Sequence, residues 1–379
     1  MAYKVTSRRS YGSRIMNSFV GVLLGIALII GMSILLFWNE GRYNLADLAK
    51  NAQELTATNA SSLEGQLVWH KCTLQGGTMT FLNDDVIIDN NYIYLERNVE
   101  VYAWIESSET KTHDNIGGSQ DVETVYSYKL GWTDNPVDPV NFQDPEMHTK
   151  EAPIVNIASM QYRNPNITID KYSIDADTLE ISSIQELILK SGETVEAGAL
   201  SEEALISGNY IYYKAPLSTG PNNPSFNDIR VKYQYIPSTL DGLIIGKIKG
   251  NSLVKFINED AEIYRFFDAN TLEEAVSQLN QEYKTTTWML RIIGSIAMCV
   301  GFALLTGPFS TLLMVLPMLG NASKFLLGIV SFLIGAVYSV IVIVISAVFH
   351  NPIALAVAIG IIILLVIMGI RKKKKKVKA

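Results

Sequence analysis

The sequence predicts an α+β membrane protein with four transmembrane helices and one large strand-rich extracytoplasmic or lumenal domain between the first and second spans. Three observations carry that prediction. Apolar residues gather in one block near the N-terminus and in a longer region from Trp288 to Ile370. No Asp or Glu occurs before Glu40 or after Glu282, so all 37 acidic residues lie between the two apolar regions. The segment between them alternates apolar and polar residues with the period of a half-buried strand.

In chain order, residues 1–16 form a basic tail carrying Lys4, Arg8, Arg9 and Arg14. Residues 17–38 are an uncharged apolar run, long enough to cross a hydrocarbon core of about 30 Å. A cleaved signal peptide has a shorter apolar region followed by a small-x-small site. Here the run ends in Phe37-Trp38-Asn39-Glu40-Gly41-Arg42, an interfacial aromatic followed by charge, so the span is expected to be retained. Gly21-xxx-Gly25 either lets another helix approach closely or reflects the frequency of glycine in spans, and both readings stand.

Residues 39–287 form the middle domain. It holds 18 basic against 37 acidic residues, a net charge of −19, while the tails carry +4 and +7. A domain so acidic repels phosphate backbones, which excludes nucleic acid as its expected ligand. Leu45, Leu48, Ala52 and Leu55 keep helical spacing, so the first span is expected to continue outward as an amphipathic helix. Strands follow. Val99, Val101, Ala103 and Ile105 alternate with polar and aromatic neighbours, as do Ile229, Val231, Tyr233 and Tyr235, and Tyr126, Tyr128, Leu130 and Trp132 mark a third run. Ile181, Ile184, Leu187 and Ile188 read as a helix. Thr271-Leu272-Glu273-Glu274 is a capping box that opens a helix leading directly into the second span. Thr219–Pro224 reads as an exposed loop, and the Asn-Tyr-Ile-Tyr at 91–94 and 209–212 reads as a coincidental repeat.

Three further spans are expected at 288–307, 325–349 and 352–370. Residues 308–324, with Pro308 and Pro317, form a cytoplasmic-side interfacial connector. His350-Asn351-Pro352 is a tight turn. The chain ends in a polybasic tail, 371–379, whose Arg371, Lys372, Lys373, Lys374, Lys375 and Lys376 act as a topology anchor and attract anionic lipid. Basic, acid-free tails favour the cytoplasm for both termini and require an even number of crossings.

At this point the residues resemble the LUMA family, transmembrane protein 43 and its relatives. The resemblance rests on Asn39-Glu40-Gly41-Arg42 after the first span, Glu64–Val68, Val99–Trp104 with Tyr102 and Trp104, Tyr126-Ser127-Tyr128 with Trp132, Asn141-Phe142, Asp228-Ile229-Arg230-Val231, and Thr287–Arg291 with Trp288. It implies a four-pass protein with a large lumenal or extracytoplasmic domain. Eukaryotic members look like organisers of the endoplasmic reticulum and inner nuclear membrane that associate with themselves and with envelope proteins, and prokaryotic relatives exist. Lys376-Val377-Lys378-Ala379 departs from a dilysine retrieval signal, which favours a bacterial inner membrane over an endoplasmic-reticulum address.

No catalytic constellation, cofactor motif or metal-ligand spacing stands out, so no enzyme is expected. Acid pairs such as Asp84-Asp85, Glu202-Glu203 and Glu273-Glu274 read as solvated surface. His70 and Cys72 share one strand face, which keeps a Cys–His pair open. The reading is a scaffold whose partners are its own copies and other membrane or envelope proteins; the alternative is an oligomeric channel or a sensor whose outer domain receives a signal. One contact is also suggested: Glu40 leaves the first span where Arg291 enters the second, so the two either pair, clamping the stem of the domain, or reach water independently, and both readings stand.

Overall fold

The computed structural model describes residues 2–56, 58–77, 92–144, 151–170, 172–182, 184–186, 204–213, 215, 218–259, 261–315 and 317–360. The chain divides into two compact units. One comprises Met1–Val5, Asn44–Glu109 and Thr124–Asn280, and the other Thr6–Tyr43, Thr110–Glu123 and Gln281–Ala379.

The strand-rich unit carries most of two sheets that, among the described residues, have eight strands each. The first runs in the order Ala2–Arg9, Gln120–Thr133, Tyr94–Asp114, Ile229–Ile236, Tyr210–Tyr213, Ala204–Ser207. Its register sets Val99 opposite Val231 and Val101 opposite Ile229, so the alternating apolar residues of both strands meet on one face. With Leu95, Ala103, Ile211 and Tyr233 they form a buried core. The second sheet centres on Thr239–Lys249, antiparallel to Leu67–Gly76. Here both faces are buried: Val68, Cys72, Leu74, Ile244 and Phe266 point into one core, Leu67, Leu243, Ile245 and Phe267 into another. Leu243-Ile244-Ile245 therefore reads as a continuous apolar run rather than an alternation.

Two expectations in this unit are corrected. The helix expected over Leu45–Leu55 is only α2, Leu45–Ala49, capped by the Asn44 side chain accepting from Ala46 N–H. The chain then extends, and Gln53–Glu54 pairs in parallel with Leu67–Gly76. Burial of Ala46, Leu48, Ala49 and Ala52 in the second core accounts for the spacing. The helix expected at Ile181–Ile188 is replaced by two short strands over its described part. Glu180–Ile181 pairs in parallel with Arg265–Phe267, and Gln185–Glu186 pairs with Ile229–Ile236. Sheet hydrogen bonds outweigh the helical spacing of so short a run. Leu187, Ile188 and the acid pairs at 84–85 and 202–203 lie outside the described residues. The loop at 219–224 holds Asn222 and Asn223 exposed but buries Gly220.

The helical unit begins with α1, Tyr11–Glu40, capped by Ser10 Oγ accepting from Ser13 N–H at 3.2 Å. Helix α3, Leu272–Leu305, is continuous and opens on the expected box: Thr271 Oγ1 accepts from Glu274 N–H, and the Glu274 carboxylate accepts from Asn270 N–H. The expected connector region is largely helical. Helix α4, Gly307–Leu313, carries Pro308 in its first turn, and α5, Pro317–Phe349, starts on a proline eight residues before the expected span. Among the described residues three helices are long and apolar enough to cross a membrane, in α1, α3 and α5. The expected fourth span is helical over 352–360, and its remainder lies outside the described residues, as does the basic anchor 371–376.

Small residues set the helix spacing. A Cβ on Gly25 would lie 2.7 Å from Gly301 O and 3.0 Å from Leu304 Cβ. A Cβ on Gly335 would lie 2.7 Å from Cys299 Cα. The Gly21-xxx-Gly25 motif is thus a contact face for α3, and Ser331-xxx-Gly335 is another, with Ser331 Oγ 3.3 Å from Thr306 Oγ1.

Candidate functional site at the membrane joint

Where α1 ends, the chain has to satisfy its last carbonyls and place two charges at the edge of an apolar layer. The Gly41 and Arg42 N–H groups donate to Trp38 O and Asn39 O, and the charges are met from α3. Asn39 is fully buried and donates from Nδ2 to Thr287 O at 3.2 Å, while its Oδ1 accepts from Arg42 Nε at 3.1 Å. Arg42 also donates to Thr287 Oγ1 at 2.9 Å and lies over the Tyr283 and Trp38 rings, 5.3 and 5.9 Å from their centroids.

Glu40 receives both prongs of Arg291, Nε to Oε1 at 2.7 Å and Nη2 to Oε2 at 2.6 Å. The carboxylate side chain is 5% exposed and the guanidinium 24%. A charge that deep is tolerated when its lone pairs are met, and the fork–fork geometry meets them. Trp288 covers the guanidinium at 4.9 Å. Gly41 packs under the His350 imidazole, where any side chain would collide. His350 in turn stacks on Phe37, with centroids 4.5 Å apart, and its Nδ1 is 2.8 Å from Ser346 O. All six expected joint residues, Asn39, Glu40, Gly41, Arg42, Trp288 and Arg291, therefore meet in one collar.

The sequence reading missed Tyr283, Thr287 and His350. A signal for the first two was present: Tyr283, Thr287 and Arg291 recur every four residues and so share one face of α3.

The domain residues form a second constellation, in the strand-rich unit. Arg230 is sandwiched between Trp132, 4.5 Å from its centroid, and Tyr210, at 4.4 Å, and its Nε donates to Glu100 at 2.6 Å. Tyr102 and Tyr212 pack edge-on against Trp132 at 5.2 and 5.8 Å. Asp228 is fully buried and accepts from Tyr212 Oη–H, Ser218 Oγ–H, Ala215 N–H and Ser225 N–H. Burial, then the hydrogen bond to Asp228, pushes the Tyr212 phenol up to about 12. Trp104 follows Tyr102 on the same face of its strand. Tyr126 and Tyr128 do not join the stack: Tyr126 faces Tyr3 and Tyr128 packs on Phe142, centroids 6.4 and 5.8 Å apart. Tyr210 and Tyr212, which complete the stack, belong to the Asn-Tyr-Ile-Tyr repeat set aside as coincidence.

The Cys–His pair left open above is not formed. His70 Nδ1 lies 3.0 Å from Leu55 O and Nε2 lies 3.0 Å from Asp170, so both ring nitrogens are engaged elsewhere. Burial, with the Asp170 charge adding to it, pushes the Cys72 thiol up to about 12, far from the thiolate a nucleophile needs.

Fold and site define a membrane protein of long apolar helices with a large strand-rich domain between the first two and an arginine–aromatic collar at the end of the first. The family model for transmembrane protein 43 matches residues 101–352. The chain belongs to that family. It is similar to transmembrane protein 43 of Homo sapiens, 23% identical over 381 residues that cover 94% of this chain and 91% of that protein. The Rattus norvegicus protein is 23% identical over 377 residues, covering 92% and 90%. A transmembrane protein 43 homolog of Drosophila melanogaster is 24% identical over 292 residues, covering 72% and 73%. No solved structure matches the chain.

Proposed function

We propose that the chain is a multi-pass membrane scaffold that acts through self-association and protein partners at the membrane. The Trp132–Arg230–Tyr210 stack carries this reading. Its members are half-buried, and Trp, Tyr and Arg are the side chains that dominate binding energy at protein interfaces. Held by Glu100 and edge-on rings, they lose little side-chain freedom when a partner arrives. In this reading both termini are cytoplasmic, the polybasic tail attracts anionic lipid, and the membrane is a bacterial inner membrane, or the endoplasmic reticulum or inner nuclear membrane in a eukaryote.

Crosslinking and native mass measurement of the full chain test it. A discrete oligomer is expected, and Trp132→Ala should weaken its assembly by about thirtyfold, the loss of one interface hot spot. A monomeric chain, or an oligomer indifferent to Trp132→Ala, overturns the reading. A second reading, an oligomeric channel or a sensor whose domain receives a signal, draws support from the unbroken run of α3 from its Thr271 cap to Leu305. Ion flux through reconstituted protein would favour it.

A further inference from the structure

The outer face of the first sheet carries more hydrogen-bond donors than its own side chains use. On the neighbouring strands Tyr94–Asp114, Ile229–Ile236 and Tyr210–Tyr213, alternate residues such as Val99, Val101, Ile211 and Val231 fill the core. The residues between them, Glu100, Tyr102, Arg230, Tyr210 and Tyr212, lie on the other face, with Arg230 paired across to Glu100 on one side and to Tyr212 on the other. Trp132, from the next strand, joins them. The Trp132 and Tyr210 rings hold the Arg230 guanidinium from both sides, and Glu100 accepts from its Nε at 2.6 Å. Among the described residues that is the one hydrogen bond Arg230 makes, so the N–H groups of both Nη atoms are left over. Trp132 Nε1–H and the Tyr102 and Tyr210 hydroxyls likewise have no hydrogen-bond partner among the described residues. None of these atoms is sealed from solvent, and the Arg230 side chain is 24% exposed.

Taking the stack as the partner surface assigned to it above, we propose that Arg230 is the receptor for a carboxylate side chain on an acidic segment of a partner protein. Every unmet polar group on this face can donate, and the Arg230 fork and the indole can only donate, so the ligand has to bring acceptors. A carboxylate is planar and matches the Nη1–Nη2 edge with two parallel hydrogen bonds. Glu100 occupies the Nε edge, which lowers the attraction without filling the fork. A phosphate dianion is a poorer match, because it adds a second negative charge beside Glu100 on a domain that already carries −19. The clamping rings leave the guanidinium little freedom to lose when the ligand arrives. They also present apolar surface beside the fork, so an acid with apolar neighbours in its own segment is held better than a free carboxylate.

The test uses the full chain in detergent, diluted below its assembly concentration, and reads the tryptophan indole N–H resonances by NMR. Trp132→Phe assigns the Trp132 resonance. The probes, at constant ionic strength, are a blocked Leu-Glu-Leu peptide, its Leu-Gln-Leu counterpart, acetate and inorganic phosphate. The glutamate peptide should move the Trp132 resonance and bind about tenfold more tightly than the other three. Arg230→Lys, which keeps a cation between the rings, should weaken that binding about tenfold. Glu100→Gln, which removes the competing charge, should tighten it about threefold. Equal binding of the glutamine peptide, acetate or phosphate overturns the proposal, as does a glutamate peptide indifferent to both variants. Assembly that is lost in Trp132→Ala, in a chain whose Trp132 resonance ignores the glutamate peptide, overturns the carboxylate site and leaves the scaffold standing. A chain that stays monomeric at every concentration yet binds the peptide supports the site and overturns self-association.

Discussion

At each end of the helical unit an arginine is paired with a carboxylate, yet the two pairs are built differently. Glu40 and Arg291 belong to two long helices locked together along their length by the Gly25–Gly301 contact. The Glu40 carboxylate cannot leave this pairing unless the helices part. Arg14 and Asp114 are buried as well, but Asp114 sits at the tip of a hairpin. A tip can lift, and both charges then hydrate at small cost. The same chemistry is therefore structural at one end and releasable at the other, and the difference lies in what each carboxylate is attached to.

Removing single partners measures that difference. The largest effect is expected for Glu40→Ala, which strands Arg291 among Trp288 and the helices. A loss of about 3 kcal/mol is expected, the low end for a broken buried pair because Arg291 is partly exposed. Thermal unfolding in detergent reads it, and reversing both residues, Glu40→Arg with Arg291→Glu, should restore most of the loss. Additive damage in the double variant would show that the two groups act independently.

Next comes Gly335→Ala, which pushes α5 off the Cys299 backbone midway between the ends. About 2 kcal/mol is expected from overpacking, and both ends should loosen together, as hydrogen exchange at the collar and at the tip would reveal. If only one end loosens, the ends are not joined through the bundle. Asp114→Ala should cost about 1 kcal/mol, since Arg14 can turn to water once the tip lifts. A loss as large as that of Glu40→Ala would erase the distinction. The smallest effect is reserved for Asp121→Asn, whose exposed pair with Arg8 should contribute under about 0.5 kcal/mol and vanish in high salt.

How much of this was legible in the sequence depends on the range of the interaction. Long apolar helices at three of the four expected spans, the alternating strands and the Thr271 box are local patterns, and they appeared where expected. The pairing of Glu40 with Arg291 was also readable, because both residues stand at the same distance from an apolar run and so meet at the same depth. Three features were not readable. Ile181 and Ile184 imitate a helix by their spacing alone, since Ile181 ends one short strand and Ile184 precedes the next. Leu243-Ile244-Ile245 hides its strand because both faces are buried and alternation disappears. The contacts of Arg14 with Asp114 and Gly118 join residues about a hundred positions apart, and charge segregation argued against them. For such a contact the only local hint was Gly117-Gly118, which marks a tight turn without saying what packs on it.

The sheet around Thr239–Lys249 bears on how the protein is made. One of its two cores is closed by Ala46, Leu48 and Ala49, which follow the first span, and by Ala275 and Leu279, which precede the second. The pieces that seal this core are thus the first and the last of the domain to leave the ribosome. Until Leu279 has emerged, the growing chain carries an open sheet with one apolar face bare. Completion of the domain and delivery of the second span are therefore a single event in biosynthesis, and a fragment cut short of residue 272 is expected to aggregate at that face rather than fold.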